Sequence, residues 1–139
     1  MGSIVVGYDG SDSGKAALAQ AVELAQGLGD EVVLVFGYSP PGTWGGEIAE
    51  HEEAIEEFGE KLMGEARQQV QTDGVEVAYE LVAKRGAEAV LDVARRRDAR
   101  MIVVGSYGEA PLKGVIIGST PYKLLHLAQC PVLVVPAKG

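Results

Sequence analysis

Residues 101–121 read MIVVGSYGEAPLKGVIIGSTP. Met101-Ile102-Val103-Val104 is a short, continuous apolar run, which predicts a strand buried on both faces. Gly105 and Gly108 follow at its exit, then nine residues, then Gly118-Ser119-Thr120. A helical pattern over Tyr122–Leu127 closes the unit. Glycines at a strand exit let backbone approach a ligand closely, because no Cβ stands in the way. Gly-Ser-Thr at a helix start offers unpaired backbone N–H groups and two hydroxyls under the positive end of the helix dipole. Together these are the parts of a phosphate cradle. Loop glycines alone more often serve turns, so the weight rests on the spacing, the hydroxyl pair and the strand–loop–helix setting. The stretch has neither the G-K-[ST] of a P-loop nor the G-x-G-x-x-G of the dinucleotide fingerprint.

Toward the N-terminus, Ser3–Tyr8 reads as a first strand around Ile4, Val5 and Val6, ending in the turn cluster Asp9-Gly10-Ser11-Asp12-Ser13. A helix is predicted over Ser13–Leu28, with Ala17, Leu18, Ala21, Val22, Leu24 and Ala25 at helical spacing and Gly29-Asp30 closing it. Glu31–Phe36 is a second buried strand. Gly37–Gly46 is a loop rich in proline and glycine that carries Trp44. A long acidic helix follows from about Gly46 to Thr72, its inner stripe being Ile48, Ala54, Ile55, Phe58, Leu62, Met63, Ala66 and Val70. Gly59 and Gly64 each weaken it by roughly 1 kcal/mol relative to alanine. Val75–Ala83 alternates and suits a strand near the sheet edge. Ala87–Arg97 reads as a helix with Ala87, Val90, Leu91 and Ala94 facing inward and Arg95-Arg96-Arg97 complementing the dipole at its end. Val132–Val135 is a fifth strand.

Strands and helices therefore alternate along the whole chain. The fold class is α/β, a three-layer α/β/α sandwich around a five-stranded parallel sheet, Rossmann-like in construction. Ligands of such sheets sit beyond the strand C-termini, where the strand order reverses. With the first and fourth strands adjacent there, Asp9 and the segment Gly105–Ser119 face one crevice.

The chain has 139 residues, 47% hydrophobic and 23% charged. That suits one globular domain over residues 1–139 with a core needing no disulfide. No apolar run approaches the length of a membrane span, and Ile4-Val5-Val6 is too short for a signal peptide. Cys130 is the only cysteine and reads as a small buried hydrophobe. The expected setting is the cytoplasm. A formal net charge of −8 argues against duplex nucleic acid as a partner. It also means that an anionic ligand must be held by local donors, with help from a divalent cation. The glutamates from Glu47 to Glu60 read as a solvated helix face, not a metal site.

These features resemble the universal stress protein family. Val5-Val6-Gly7-Tyr8-Asp9-Gly10-Ser11 is similar to that family's first strand and its acidic residue. Gly105-x-x-Gly108, nine residues, then Gly118-Ser119 is similar to the G-x-x-G-x9-G-[ST] pattern of its ATP-binding members. Cys130–Val135 is similar to its closing strand. The resemblance implies the strand order 3-2-1-4-5, an adenine nucleotide in the crevice (ATP or another, with Mg2+ or Mn2+) and a homodimer through the edge strand Val132–Val135. It implies that Asp9 meets the adenosine, with Gly7, Tyr8, Phe36 and Gly37 lining the adenine. Gly105 would approach the ribose, with Val104 also among the nucleotide-binding residues. Gly108, Gly118, Ser119 and Thr120 would hold the phosphates, with Tyr107 nearby. Two positions depart from the pattern. Pro121 withdraws a backbone donor after Thr120, although proline is easily placed at a first helical position. Glu109 brings a negative charge to the cradle.

The function these features predict is nucleotide-dependent regulation in a stress response, with slow ATP hydrolysis at most and no dedicated catalytic residue. Phosphoryl transfer needs a placed base and charge stabilisers, and Lys113 has no evident partner. The alternative is an interaction module of the same fold that binds no nucleotide. A phospho-acceptor receiver domain is excluded, because the third strand ends in Ala83-Lys84-Arg85-Gly86 with no acidic residue.

Overall fold

The computed structural model describes residues 2–38, 47–70, 74–106 and 119–137, with residues 47–52 as backbone alone. The elements are β1 (Ser3–Gly7), α1 (Asp12–Leu28), β2 (Glu31–Gly37), α2 (Glu47–Val70), β3 (Val77–Val82), α3 (Gly86–Arg96), β4 (Met101–Gly105), α4 (Ser119–Leu127) and β5 (Val132–Val135). The five strands form one sheet of order β3-β2-β1-β4-β5, and every pairing is parallel. Val5 stands between Val33 and Ile102 in the register. Ile4, Val5 and Val6 are fully buried, as expected of a central strand covered on both faces.

Side-chain alternation along β1 sorts the core into two layers. Ile4, Val6 and Tyr8 pack with Leu18, Ala21 and Val22 of α1 and with Leu62, Met63 and Ala66 of α2. Val5, Val33 and Ile102 pack with Val90 and Val93 of α3 and Leu124 of α4 on the opposite face. All strands being parallel, their C-termini share one edge, and α1, α3 and α4 start beside it.

Helix α1 starts and stops where its sequence dictates. Ser11 is its N-cap, and its hydroxyl accepts from the Gly14 N–H at 3.1 Å. Gly29 adopts φ 72°, the left-handed conformation that glycine tolerates, and its N–H reaches the Ala25 carbonyl.

Two expectations need correction. The inner stripe of α2 does not include Ala54 or Phe58. Both are exposed, Phe58 by 44%, and buried packing is found at Gly59, Leu62, Met63, Ala66 and Val70. Phe58 instead sets its ring edge-on to Phe36, with centroids 5.3 Å apart. The second correction concerns Pro121, which is the third residue of α4, not the first. It still lies in the first turn, whose N–H groups have no acceptor within the helix, so no internal hydrogen bond is lost. Ile48 and Trp44 fall outside the described side chains.

At the sheet's other end the strand N-termini are tied together by charge. The Asp30 side chain, 1% exposed, pairs with Arg100 and accepts from the Gly2 N–H at 2.9 Å. Arg97 reaches Glu31 at 3.3 Å and Glu80 at 2.6 Å, and Arg96 bonds Glu80 and Asp92. Two members of the arginine triplet thus serve as ties between α3 and the strands, beyond any dipole effect.

Candidate nucleotide crevice

The strand order reverses between β1 and β4. The connection from β1 runs through α1 to β2 on one side, and β4 lies on the other. Gly7 pairs with Val35 and with Val104, so the predicted residues Gly7, Tyr8, Asp9, Phe36, Gly37, Val104 and Gly105 all lie along one edge.

Asp9 is fixed in place. Its Oδ1 accepts from the Ser11 N–H at 2.9 Å and from the Ser11 hydroxyl at 2.5 Å. A Cβ at Gly14 would lie 2.8 Å from that same oxygen, so the carboxylate rests against the bare first turn of α1. There the helix dipole favours a negative charge.

Tyr8 extends the β1–β2 ladder, its N–H donating to the Val35 carbonyl at 3.1 Å. Its ring is buried, and its hydroxyl has no hydrogen-bond partner among the described residues. Burial raises its pKa, helped by the carboxylates of Glu65 and Asp9. Tyr8 borders a cavity of about 10 Å³ with Phe36, Gly59, Leu62, Met63 and Tyr79, room for about one water.

Gly37 and Gly105 have packing reasons of their own. A Cβ on Gly37 would lie 2.6 Å from the Lys84 carbonyl oxygen, because the β3–α3 connection crosses the exit of β2. A Cβ on Gly105 would run into Ser13, at the first turn of α1. These glycines therefore let neighbouring elements close over the strand ends, whatever ligand lies above them. Val104 is buried in the α3/α4 layer and faces the core.

Ser119 and Thr120 open α4, as the Gly-Ser-Thr pattern predicts. Ser119 is exposed, and Thr120 Oγ1 stands 2.8 Å from where a Cβ of Gly86 would be. Gly86 has φ +33° and opens α3, so the N-termini of α3 and α4 sit side by side. Tyr107, Gly108, Gly118, Glu109 and Lys113 lie outside the described residues.

Sequence reasoning passed over Ser106. It directly follows β4, is 6% exposed, and its Oγ has no partner among the described residues. The only signal was its place inside the G-x-x-G pattern. Among the described residues no group of three or more His, Cys, Asp or Glu side chains can hold a metal. Cys130, expected to be buried, is only partly buried at the opposite end of the sheet, where that burial raises its thiol pKa.

Comparison with known proteins bears on the whole chain. The model of the universal stress protein family matches residues 1–136. A universal stress protein of Thermus aquaticus (from the QAH/OAS sulfhydrylase 3' region) is 36% identical over 137 residues, covering 96% of this chain and 97% of its own. Universal stress protein UspA from Lactobacillus plantarum superposes with a TM-score of 0.84 at 23% identity, covering 96% of this chain and 97% of its own. The universal stress protein from Archaeoglobus fulgidus in complex with dAMP superposes with a TM-score of 0.72 at 22% identity, covering 97% of both chains.

Proposed function

The chain belongs to the universal stress protein family, and from that premise we propose that it binds an adenine nucleotide at the sheet edge between β1 and β4 and acts as a dimeric regulatory protein. One observation carries the proposal. The strand order reverses where Asp9 is held against the N-terminus of α1 and where α3 and α4 bring their N-termini together. The Archaeoglobus relative in complex with dAMP supports an adenine nucleotide as the ligand class.

In this proposal the Asp9 carboxylate accepts from the ribose hydroxyls. It is suited to that because Ser11 already fixes its orientation. The backbone of Gly7-Tyr8 and of Phe36-Gly37 borders the adenine, and Gly105 lets the ribose approach the strand. Gly108, Gly118, Ser119 and Thr120 hold the phosphates with N–H groups and hydroxyls, near Tyr107. Pro121 removes one N–H from the first turn of α4, so phosphates beyond the first gain less than adenosine does. Mg2+ or Mn2+ would neutralise the phosphate charge. Hydrolysis is slow, below about 1 s⁻¹, because no described side chain is placed as both base and charge stabiliser. The dimer forms through β5, an uncharged edge strand.

Isothermal titration with ATP, AMP and adenosine, with magnesium present, tests the proposal. We expect binding of all three, with ATP no more than a few-fold tighter than AMP. Absence of heat and of any thermal shift at millimolar nucleotide would refute it and favour the interaction module.

A further inference from the structure

Tyr8 Oη and Ser106 Oγ are the two buried side-chain polar atoms without a hydrogen-bond partner among the described residues. A buried hydroxyl left unpaired is costly, and native proteins rarely keep one without use. Both residues lie just past the C-termini of β1 and β4, the strands on either side of the order reversal. Tyr8 has a bland explanation, since its small cavity has room for about one water. Ser106 has a different setting.

Its N–H continues the ladder, donating to the Val135 carbonyl at 2.9 Å. Alternation then fixes its side. Ile102 and Val104 point into the α3/α4 layer, while Val103 packs with α1 and α2 and Gly105 abuts Ser13 of α1. Ser106 therefore points to the α3/α4 side. On that side Thr120 lies against Gly86, and two helix N-termini meet beyond the strand ends. Two N-termini supply N–H donors and positive partial charge. One donor is absent from α4, because its third residue is Pro121.

We propose that Ser106 is a ligand-binding residue: its hydroxyl donates to an oxygen of the nucleotide phosphate held at the start of α4, and so makes up for the N–H that Pro121 lacks. The proposal rests on the nucleotide function proposed above. It deepens that function by assigning the phosphate contact to a side chain of β4's exit.

Titration of AMP and adenosine into wild type and Ser106→Ala, with melting curves of the unliganded proteins, tests it. The unliganded Tm should be unchanged or higher, since no bond among the described residues is removed. AMP affinity should fall about tenfold, as for a lost hydrogen bond to a charged group, while adenosine affinity stays the same. Ser106→Thr, which keeps the hydroxyl, should keep the AMP affinity within about threefold of wild type. A wild type that binds AMP, with an alanine variant that binds it equally well, overturns the assignment. So does an equal loss for adenosine, which would move the contact off the phosphate. A Tm several degrees lower would mean that the hydroxyl is engaged within the protein, and would also overturn it. A wild type that binds neither ligand would instead bring down the nucleotide function itself.

Discussion

Asp30 carries more of the fold than its position at a helix end suggests. It is almost fully buried, it pairs with Arg100, and it accepts the Gly2 N–H. The bond from Arg100 holds its carboxyl below the usual carboxylate range, although burial works the other way. A group whose pKa is lowered on folding stabilises the native state at every pH above its unfolded value, near 3.9. That stabilisation is lost as pH falls through the lowered folded value. Asp30→Asn should therefore lower the Tm at pH 7 by roughly 5 °C or more. The gap from wild type should close as the pH falls below about 4, and calorimetry across pH 2–7 checks both. Nothing in the sequence marked Asp30, because its partner lies 70 residues away. The turn at Asp9 was legible, since an acidic residue two positions before a serine can accept from its N–H and hydroxyl. Ser106 was not, because one serine in a glycine loop looks like turn chemistry until its burial is known.

Helix α2 shows how far an apolar stripe can be trusted. The spacing of Ala54 and Phe58 matches that of Leu62 and Ala66, yet only the later pair is buried. Periodicity says which residues share a helix face, but not how much of that face meets the sheet. The two glycines separate in the same way. A Cβ at Gly64 would meet nothing within 4 Å, whereas one at Gly59 would run into Leu81 of β3. Gly64→Ala should thus stabilise the protein by about 1 kcal/mol through helix propensity and a less free unfolded chain. Gly59→Ala should gain nothing or lose about 1 kcal/mol, since Leu81 must move aside. Urea titration of the two variants measures the difference. At α4 the helix and its opening at Ser119-Thr120 were legible but the place of Pro121 was not, because proline is acceptable anywhere in a first turn.

The molecule as a whole exposes β5 at one edge of the sheet and β3 at the other. Leu133 is 37% exposed, and β5 carries no charge to discourage pairing, whereas β3 carries Glu80 tied to Arg96 and Arg97. Edge pairing should therefore select β5. Sedimentation velocity is expected to give a dimer for wild type and a monomer for Leu133→Lys, and a wild-type monomer at high concentration would remove the dimer from the proposal. Tyr122, Leu125 and Leu127 of α4 are also exposed.

By itself the sequence determined the element order and the parallel sheet. It did so because short apolar runs, helical spacing and cap residues act over a few neighbours, and such local terms survive in a linear string. The tertiary structure alone decided which half of α2 is buried, that Gly37 and Gly105 make room for neighbouring backbone and for Ser13, that Asp30 pairs with Arg100, and that Ser106 lacks a partner. Each of these depends on what lies across the sheet or on an adjacent helix. Burial and hydrogen bonding are properties of pairs distant in the chain, and no local pattern encodes them.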